Sequence, residues 1–447
     1  MENLKSKYLS FINSFYYSII CVLMIFISHT FGLELLGIIT VGVSASLGLI
    51  ISNNLNFVLV PAITIFFNLS EKNSFDGKGK FYSFGSLFTV SLVVALFVGC
   101  LIYHIIKNRQ GYNFKNAFKS PLFYGILFLS VSFLFNNLLY KEQFFWKDLG
   151  FSFALVISYL GIFLLLYTGL EFDERLKKNI IFSLFIASML VTFEFYSLFV
   201  TGQIQFENGE IIKESIRTGW GIWNTMGCYL SMLIPIHFYL ASCVKKYGFI
   251  FYGTGLISYL AIVLSLSRSS LLAGTFVIGI SIIVCCFFGE NKKVNRIITA
   301  ALFVLSIIGI ILLWDKISNV LRDYLERGLD DNGRFEIYAT GWKKFLSHPL
   351  FGCGFYNSHH INEFGLPFGY HNTIVQMMAS CGIIGLVAYL YHRYQTIKLF
   401  IRRMSVKSFF LMLCICALLI TSLLDIHMFS LYPTLYYMLI LITIEKA

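Results

Sequence analysis

Charged side chains are scarce in this sequence, since only 13% of the 447 residues are Asp, Glu, Lys or Arg. Soluble globular proteins carry about 25%. Proline is also rare, at six residues, whereas 57% of the chain is hydrophobic. This composition excludes an ordinary soluble domain. The long uncharged runs indicate membrane-spanning helices, each of about 20 apolar residues.

Cysteine and histidine patterns typical of disulfide scaffolds or metal centres are also lacking. Of the ten cysteines, all except Cys353 lie in apolar runs, where thiols behave as small hydrophobic side chains. His359, His360 and Glu363 stand close together, but their spacing matches no standard metal motif. The sequence therefore predicts neither a disulfide framework nor a metal site.

The net charge of +11 is the one feature that points towards a nucleic-acid partner. The positive residues, however, are spread over short connections between apolar runs, a pattern that membrane topology explains better. We therefore expect a lipid bilayer and no nucleic acid as the partner. The first apolar run, about residues 8–29, lacks a small-residue cleavage site and is predicted to be a retained helix.

Apolar length predicts an all-α polytopic membrane protein with about fourteen spans. The range is roughly 12 to 14, because the number of spans in the first 120 residues is ambiguous. The predicted spans are 8–29, 33–51, 55–70, 84–106, 120–140, 149–170, 179–201, 222–243, 247–266, 269–289, 296–314, 372–391, 408–426 and 428–444. Without any internal repeat, residues 1–447 are predicted to form a single integral membrane domain.

The distribution of Lys and Arg predicts the orientation of these spans. With the N- and C-termini in the cytoplasm, most positive residues of the short connections fall on the cytoplasmic side, as membrane proteins prefer. The long polar connection, residues 315–371, then faces outward as an extracytoplasmic subdomain. The connections that carry Arg217 and Arg268 face the same way, so three separate cationic segments are expected at one membrane face.

Helix signals divide this long loop. Residues Asp315 to Arg327 carry apolar side chains at helical spacing, which predicts an interfacial amphipathic helix. Asp330, Asp331 and Asn332 are candidate N-caps of a second helix that reaches Leu346. The apolar face of this second helix is predicted to consist of Phe335, Tyr338, Trp342 and Phe345. Ser347-His348-Pro349 would end the helix, and a Gly352-Cys353-Gly354 turn follows.

Arg268 is the most informative single charge. It lies between two apolar spans without an acidic neighbour in sequence, a placement that is costly in a membrane unless the charge is solvated or paired. A planar guanidinium binds phosphate oxygens in pairs, which favours a phosphate or pyrophosphate ligand. The alternative is a turn arginine that reaches the lipid headgroups.

The other two outward arginines also leave two interpretations open. Arg334, in the first turn of the loop helix, would hold an anion together with free backbone N–H groups, or would pair with Asp330 or Asp331. Arg217 either contributes to the same anion site or serves as an interfacial anchor beside neighbouring tryptophans.

His371 is a candidate general base, because a histidine titrates near neutral pH and can accept a proton from a hydroxyl group. Its alternative role is an interfacial residue that caps a helix with Asn372. His348 is expected to cap the helix before Pro349. The acids Glu194 and Asp425 lie near the outer ends of spans, where either would pair with Arg268, orient His371 or stay solvated.

Taken in order, several segments resemble the O-antigen ligase and polymerase superfamily of bacterial surface-polysaccharide assembly. These segments are Ser267-Arg268-Ser269, Gly333-Arg334-Phe335-Glu336-Ile337-Tyr338, His348-Pro349-Leu350-Phe351-Gly352-Cys353-Gly354, His371-Asn372 and Gly382-Ile383-Ile384-Gly385-Leu386. Arg217-Thr218-Gly219 with Asn224 also resembles the segment before the mid-chain span of the family. The resemblance covers roughly residues 215–390, and it departs from the common pattern at Cys353, where an aliphatic residue is usual.

This resemblance implies a GT-C-like, metal-independent and inverting glycosyltransferase without cofactors, whose donor is a glycan on undecaprenyl pyrophosphate. By resemblance, Arg268 and Arg334 bind the pyrophosphate and act in catalysis, with Arg217 as a further binding residue. His371 corresponds to the catalytic histidine that acts on the acceptor. Asn372 completes the expected substrate-binding set.

The leading functional hypothesis is a polymerase that joins repeat units of O-antigen, capsule or exopolysaccharide on the outer face of the cytoplasmic (inner) membrane. The alternative within the family is a ligase that moves finished glycan onto lipid A–core or another envelope acceptor. A lipid-linked sugar flippase or transporter is the alternative from another class. A chain-length regulator and a flippase of the same pathway are the expected protein partners.

Overall fold

The computed structural model describes residues 2–64, 84–112, 114–139, 145–207, 210–219, 221–312, 314, 318, 333–358, 360, 361 and 367–446. Helices make up most of this part of the chain. They are α1 (Glu2–Ile12), α2 (Phe15–Thr30), α3 (Glu34–Ile51), α4 (Leu59–Thr64), α5 (Phe84–Lys107), α6 (Phe114–Phe118), α7 (Pro121–Leu139), α8 (Phe145–Val156), α9 (Ile162–Gly169), α10 (Glu174–Val200), α11 (Trp223–Cys243), α12 (Gly248–Leu264), α13 (Arg268–Phe288), α14 (Lys292–Leu312), α15 (Arg334–Ser347), α16 (Phe355–Ser358), α17 (Thr373–Arg402), α18 (Val406–Ser422) and α19 (Leu431–Lys446).

The remaining regular structure is short. One π-helical turn (Ile157–Gly161) joins α8 to α9, and three 3₁₀ turns cover Asn56–Val58, Lys213–Ser215 and His427–Phe429. Three two-stranded antiparallel hairpins lie in connections between helices. Their strands are β1 (Phe206–Glu207) with β2 (Glu210–Ile211), β3 (Arg217–Thr218) with β4 (Gly221–Ile222), and β5 (His360–Ile361) with β6 (Pro367–Phe368).

The all-α, multi-spanning class predicted from the sequence is confirmed. Within the described residues, seven helices are long and apolar enough to cross a membrane, or eight if α1 and α2 form one bent span. Three shorter apolar helices are present as well, and a helix or part of one coincides with each predicted span. The total of about fourteen spans and the GT-C-like arrangement stay predictions.

Three predicted elements differ from the structure or fall outside it. The first span is bent by 67° between α1 and α2, where Ser14 accepts a hydrogen bond from the backbone N–H of Tyr17. The third predicted span is described only as far as Thr64. Of the predicted interfacial helix of residues 315–327, only Ser318 is among the described residues. The N-cap candidates 330–332 lie outside them, and the helix they were expected to cap has Gly333 as its N-cap instead.

Helix α11 forms the centre of the bundle. In the most apolar stretch of α11, 83% of the residues are buried inside the protein, whereas only 17% are buried in the corresponding stretch of α5. It packs against α10, α12, α13 and α18, so α11 is shielded by protein whereas α5 presents most of its surface outward. Residues on the first turns of α11 are therefore positioned by several neighbouring helices at once.

Helix α17 extends beyond the predicted end of its span at residue 391. Because the helix continues to Arg402, Arg393 lies within the helix rather than in a connection after the predicted span 372–391. Its guanidinium instead packs against the rings of Tyr389 and Tyr437, at 4.8 and 5.1 Å from the ring centroids. Cation–π contact of this kind stabilises a buried arginine.

The same helix is interrupted at Gly382, whose φ of 64° and ψ of −161° are not helical. An interrupted helix leaves backbone groups unpaired, and such groups must find other partners in a membrane. Residues 349–354 supply them. The N–H groups of Cys353 and Gly354 donate to the carbonyls of Ala379 and Ser380, and the N–H of Ile383 donates to Pro349, at 2.8–2.9 Å.

Glycine is required where this loop meets the break. A Cβ atom on Gly352, whose φ is +71°, would lie 2.3 Å from the carbonyl carbon of Ser380. One on Gly382 would lie 2.5 Å from backbone atoms of Leu350, and one on Gly354 would overlap the buried carboxylate of Asp148. The His348–Gly354 and Gly382–Leu386 segments are therefore two halves of one contact.

Three hydrogen bonds join residues near span ends that are predicted to be cytoplasmic. Lys107 Nζ donates to the carbonyl of Ile50 at 2.8 Å, and Ser120 Oγ donates to Glu445 at 2.8 Å. Arg175 donates to the carbonyl of Asn13 at 2.7 Å. These contacts agree with the predicted alternation of the spans.

Gly352→Ala should destabilise the protein by about 3 kcal/mol, because the new methyl group meets backbone atoms and the residue has a positive φ. Gly279→Ala on α13 is the matched control, since no heavy atom lies within 4 Å of the Cβ position there. It should leave stability unchanged or raise it by up to about 1 kcal/mol. Thermal unfolding of the detergent-solubilised variants measures both, and equal midpoints would contradict the proposed loop contact.

Candidate functional site

His371 stands at the junction between the long loop and α17. Its φ of 50° is left-handed, which is uncommon for a residue with a side chain and indicates that surrounding contacts hold it. Asn372 supplies some of them, because its Oδ1 accepts the N–H groups of Ile374 and Val375 at 2.9 and 3.1 Å. Its Nδ2 donates to the carbonyl of Leu423 at 2.8 Å.

Asn372 therefore caps α17 and joins it to the segment after α18. These hydrogen bonds hold the residue next to His371, and they agree with the helix-capping alternative that the sequence offered for His371 together with Asn372. Binding of substrate by Asn372 stays a prediction.

Asp425 is the acid that orients His371. Its Oδ1 lies 3.2 Å from His371 Nδ1 and also accepts the N–H of Ile426 at 2.8 Å. His427 Nε2 lies 3.8 Å from the other carboxylate oxygen. A carboxylate at Nδ1 favours the tautomer that carries its proton there, so that Nε2 holds the lone pair. This is the arrangement that a general base requires.

The charge state of Asp425 follows from its neighbours. Burial alone would raise the pKa of Asp425, but the hydrogen bond from His371 and the charge of His427 hold it at about 2. Burial would lower the pKa of His427, but Cys228 and Asp425 raise it to about 9. The carboxylate is thus ionised and lies between two imidazole rings.

Arg268 is the first residue of α13, in the tight turn between α12 and α13 that the sequence predicted. The turn places Leu266 at a φ of 58°. Beside the half-buried Arg268, Ser267 Oγ donates to Ser270 Oγ at 2.9 Å. A Cβ atom on Gly227 of α11 would lie 2.5 Å from Ser270 Oγ, so this turn contacts the first turns of α11 without intervening side chains.

The first turns of α11 connect the Arg268 turn to His371. On another side of α11, its Cys228 Sγ lies 3.2 Å from Thr421 Oγ1 in the last turn of α18. The chain then continues directly to Asp425 and its partner His371. Arg268 and the His371–Asp425 pair therefore border the same end of α11.

Arg217 reaches this end through a hairpin that leads directly into α11. It begins β3, and its Nε donates to the carbonyl of Glu214 at 3.2 Å. The turn of the hairpin is held from outside, because the N–H of Gly219 donates to both carboxylate oxygens of Glu194, at 2.8 and 3.0 Å. Glu194 thus has partners other than the expected Arg268 or His371.

Arg334 begins α15, and Gly333 before it has a left-handed φ of 72°. Helix α15 packs on α17 through Gly341, where a Cβ atom would lie 2.5 Å from Val375 and 3.1 Å from Tyr370. Arg334 and Gly341 are seven residues apart and share one face, about 10 Å apart along the axis. The face of α15 that carries Arg334 is therefore the face that packs near Tyr370, the residue immediately before His371.

The predicted apolar face of α15 is only partly packed, since Tyr338 and Phe345 are half-buried whereas its other two residues are exposed. Phe335 and Trp342 are 73% and 51% exposed, because the helix uses the small residue Gly341 for its contact with α17. An exposed apolar face beside cationic residues is typical of a helix at a membrane interface.

His348 ends α15, as the sequence predicted. It is the C-cap residue, and its Nδ1 lies 3.0 Å from Ser347 Oγ and 3.1 Å from Cys353 Sγ. Within the described part of the chain, no group of three or more His, Cys, Asp or Glu residues is arranged to hold a metal ion. His359 and Glu363 fall outside that part, so metal independence stays a prediction.

These features define a multi-pass helical membrane protein with cationic helix starts and an acid-oriented histidine at one end. The family model described as O-Antigen ligase matches residues 253–390, and it confirms the resemblance to the O-antigen ligase and polymerase superfamily. The matched region contains Arg268, Arg334 and His371. No curated protein matches the chain.

Asp425 should make the protein more stable at neutral pH than at acid pH. Because its folded pKa of about 2 lies below the ordinary 3.8, its contribution of roughly 2 kcal/mol is complete above the ordinary pKa and is lost as pH falls through about 2. Asp425→Asn should therefore unfold at a lower temperature than the parent protein at neutral pH, with a difference that narrows towards acid pH. A difference in unfolding temperature between the two proteins that stayed the same at every pH would contradict an ionised Asp425.

Proposed function

We propose that this protein is a membrane glycosyltransferase that polymerises undecaprenyl-pyrophosphate-linked repeat units into O-antigen, capsule or exopolysaccharide. One observation carries the proposal: the Asp425 carboxylate lies 3.2 Å from His371 Nδ1, at the end of α11 where Arg268 begins α13. The match to the O-Antigen ligase family supports it, because that region contains Arg268, Arg334 and His371.

The proposed reaction places negative charge on the leaving group. As the bond between the anomeric carbon and the pyrophosphate oxygen breaks, its electron pair passes to undecaprenyl pyrophosphate. Guanidinium groups fixed before the reaction stabilise such charge most effectively, and they grip phosphate oxygens in pairs. Arg268 and Arg334 are the proposed catalytic ligands, with Arg217 as a further binding residue.

His371 is the proposed general base. It accepts the proton of the acceptor hydroxyl while that oxygen forms the new bond to the anomeric carbon. Asp425 holds the imidazole and stabilises the imidazolium that forms. Attack from the face opposite the leaving group inverts the anomeric carbon, and Asn372 keeps the base at the start of α17.

The arginines supply the positive charge that a divalent cation provides in other transferases, so the proposed mechanism needs no metal or cofactor. The same proposal places the site at the outer face of the inner membrane, with both termini in the cytoplasm. A flippase and a chain-length regulator of the same pathway are the proposed partners.

A ligase is the second candidate, and the printed description of the matched family, O-Antigen ligase, favours it. It would use the same donor site and differ in the acceptor. A lipid-linked sugar transporter is a weaker alternative, because Arg217, Arg268 and Arg334 lie in a hairpin or at helix starts at one end rather than along the spans.

A strain that lacks this protein should distinguish the two transferase functions. Polymerase loss should leave single repeat units on the normal acceptor, because the ligation step still operates. Gel electrophoresis of surface glycan and of the lipid-linked fraction measures the products. Long polymer accumulating on the lipid carrier would contradict the polymerase and support the ligase.

Alanine at Arg268, Arg334 or His371 should abolish long glycan while membrane levels of the protein stay normal. Loss of one fixed donor or base lowers such rates by roughly a hundredfold or more. Arg402→Ala, at the exposed end of α17, is the matched control and should keep normal chain lengths. If His371→Ala retained the full chain-length distribution, its assignment as the base would be wrong.

A further inference from the structure

A buried carboxylate outside the family-matched region holds the turn of the Arg217 hairpin. Glu194, near the end of α10, is 3% exposed. Both of its oxygens accept the backbone N–H of Gly219, at 2.8 and 3.0 Å. Gly219 lies two residues after Arg217 and is part of the turn between β3 and β4.

His29 completes this anchor from another helix. Its Nε2 lies 2.8 Å from Glu194 Oε1, and His29 is itself only 2% exposed. Its Nδ1 lies 3.7 Å from Glu34 Oε1 at the start of α3. The Glu194 carboxylate is therefore held by its own helix α10 and by His29 of α2, close to the start of α3. In this position it contacts the hairpin.

The hairpin depends on an external anchor of this kind. Each of its strands has two residues, and so short a pair has little stability of its own. A hydrogen bond to a buried charged group is stronger than one between neutral groups, and removing one partner leaves the other unpaired. Glu194 therefore adds a buried anchor to a hairpin whose own ladder is short.

We propose that Glu194, held by His29, is a positioning residue that fixes the Arg217 hairpin for the anionic head of the lipid-linked donor. The proposal rests on the proposed function for the identity of that ligand. It also assigns a part in the site to α2 and α10, which lie outside residues 253–390.

The link between Glu194 and the hairpin can be tested without an activity assay. In the purified full-length protein, Glu194→Ala should speed amide hydrogen exchange of the peptide containing Gly219 by at least about tenfold, because its N–H loses a buried acceptor. Glu194→Gln keeps one acceptor oxygen and should restore most of the protection. Glu174→Ala is the control, since that side chain lies on the same helix and is 78% exposed.

Steady-state kinetics with an undecaprenyl-pyrophosphate-linked repeat unit test the consequence. Glu194→Ala should raise KM for this donor about tenfold with a smaller change in kcat, as Arg217→Ala should. In the double variant the two losses should not add, because Glu194 acts through the hairpin. Glu194→Gln should again recover most of the lost affinity.

The outcomes distinguish the positioning role of Glu194 from donor binding by Arg217. Unchanged exchange at Gly219 in Glu194→Ala would overturn the positioning role, and so would additive losses in the double variant. Faster exchange with a raised KM that Glu194→Gln restores would support it. Faster exchange while Arg217→Ala leaves donor KM unchanged would overturn donor binding by Arg217 and retain only the anchoring of the hairpin.

Discussion

The structure depends on one constraint, the need to satisfy backbone hydrogen bonds inside a membrane. Helix α17 is broken at Gly382, and residues 349–354 of the polar loop provide hydrogen-bond partners for the backbone groups that the break exposes. The end of the same loop enters the start of α17 at His371. Both contacts lie on one helix, so the loop is held at two points and its catalytic candidate cannot move independently of the bundle.

Electrostatic balance at the site end follows from this arrangement. Arg268 and Arg334 each begin a helix, where free N–H groups add to their positive charge. Two described acids at this end have contacts of their own: Asp425 contacts His371, and Glu194 contacts Gly219 and His29. One carboxylate therefore orients the histidine, and the other contacts the turn of the hairpin. Two acids of similar appearance in the sequence thus have different roles.

The sequence predicted the helical class, the turn at Arg268, the helix that begins near Arg334 and the end of that helix at His348, because these depend on local signals such as apolar length and capping. It left open whether Glu194 or Asp425 orients His371, because that choice depends on contacts between residues 54 positions apart or more. The bend between α1 and α2 and the break at Gly382 were missed. Only the glycine spacing of 352, 354 and 382 could have indicated the latter, since close backbone approach requires glycine.

The central claim is that this site breaks the bond between the anomeric carbon and the lipid-linked pyrophosphate, and forms a glycosidic bond in its place. The most direct measurement uses purified full-length protein and a defined undecaprenyl-pyrophosphate-linked repeat unit, with an excess of metal chelator. The account predicts longer glycans and the release of one undecaprenyl pyrophosphate for every linkage formed. No bond cleavage, or cleavage that stops when divalent metal is chelated, would contradict it.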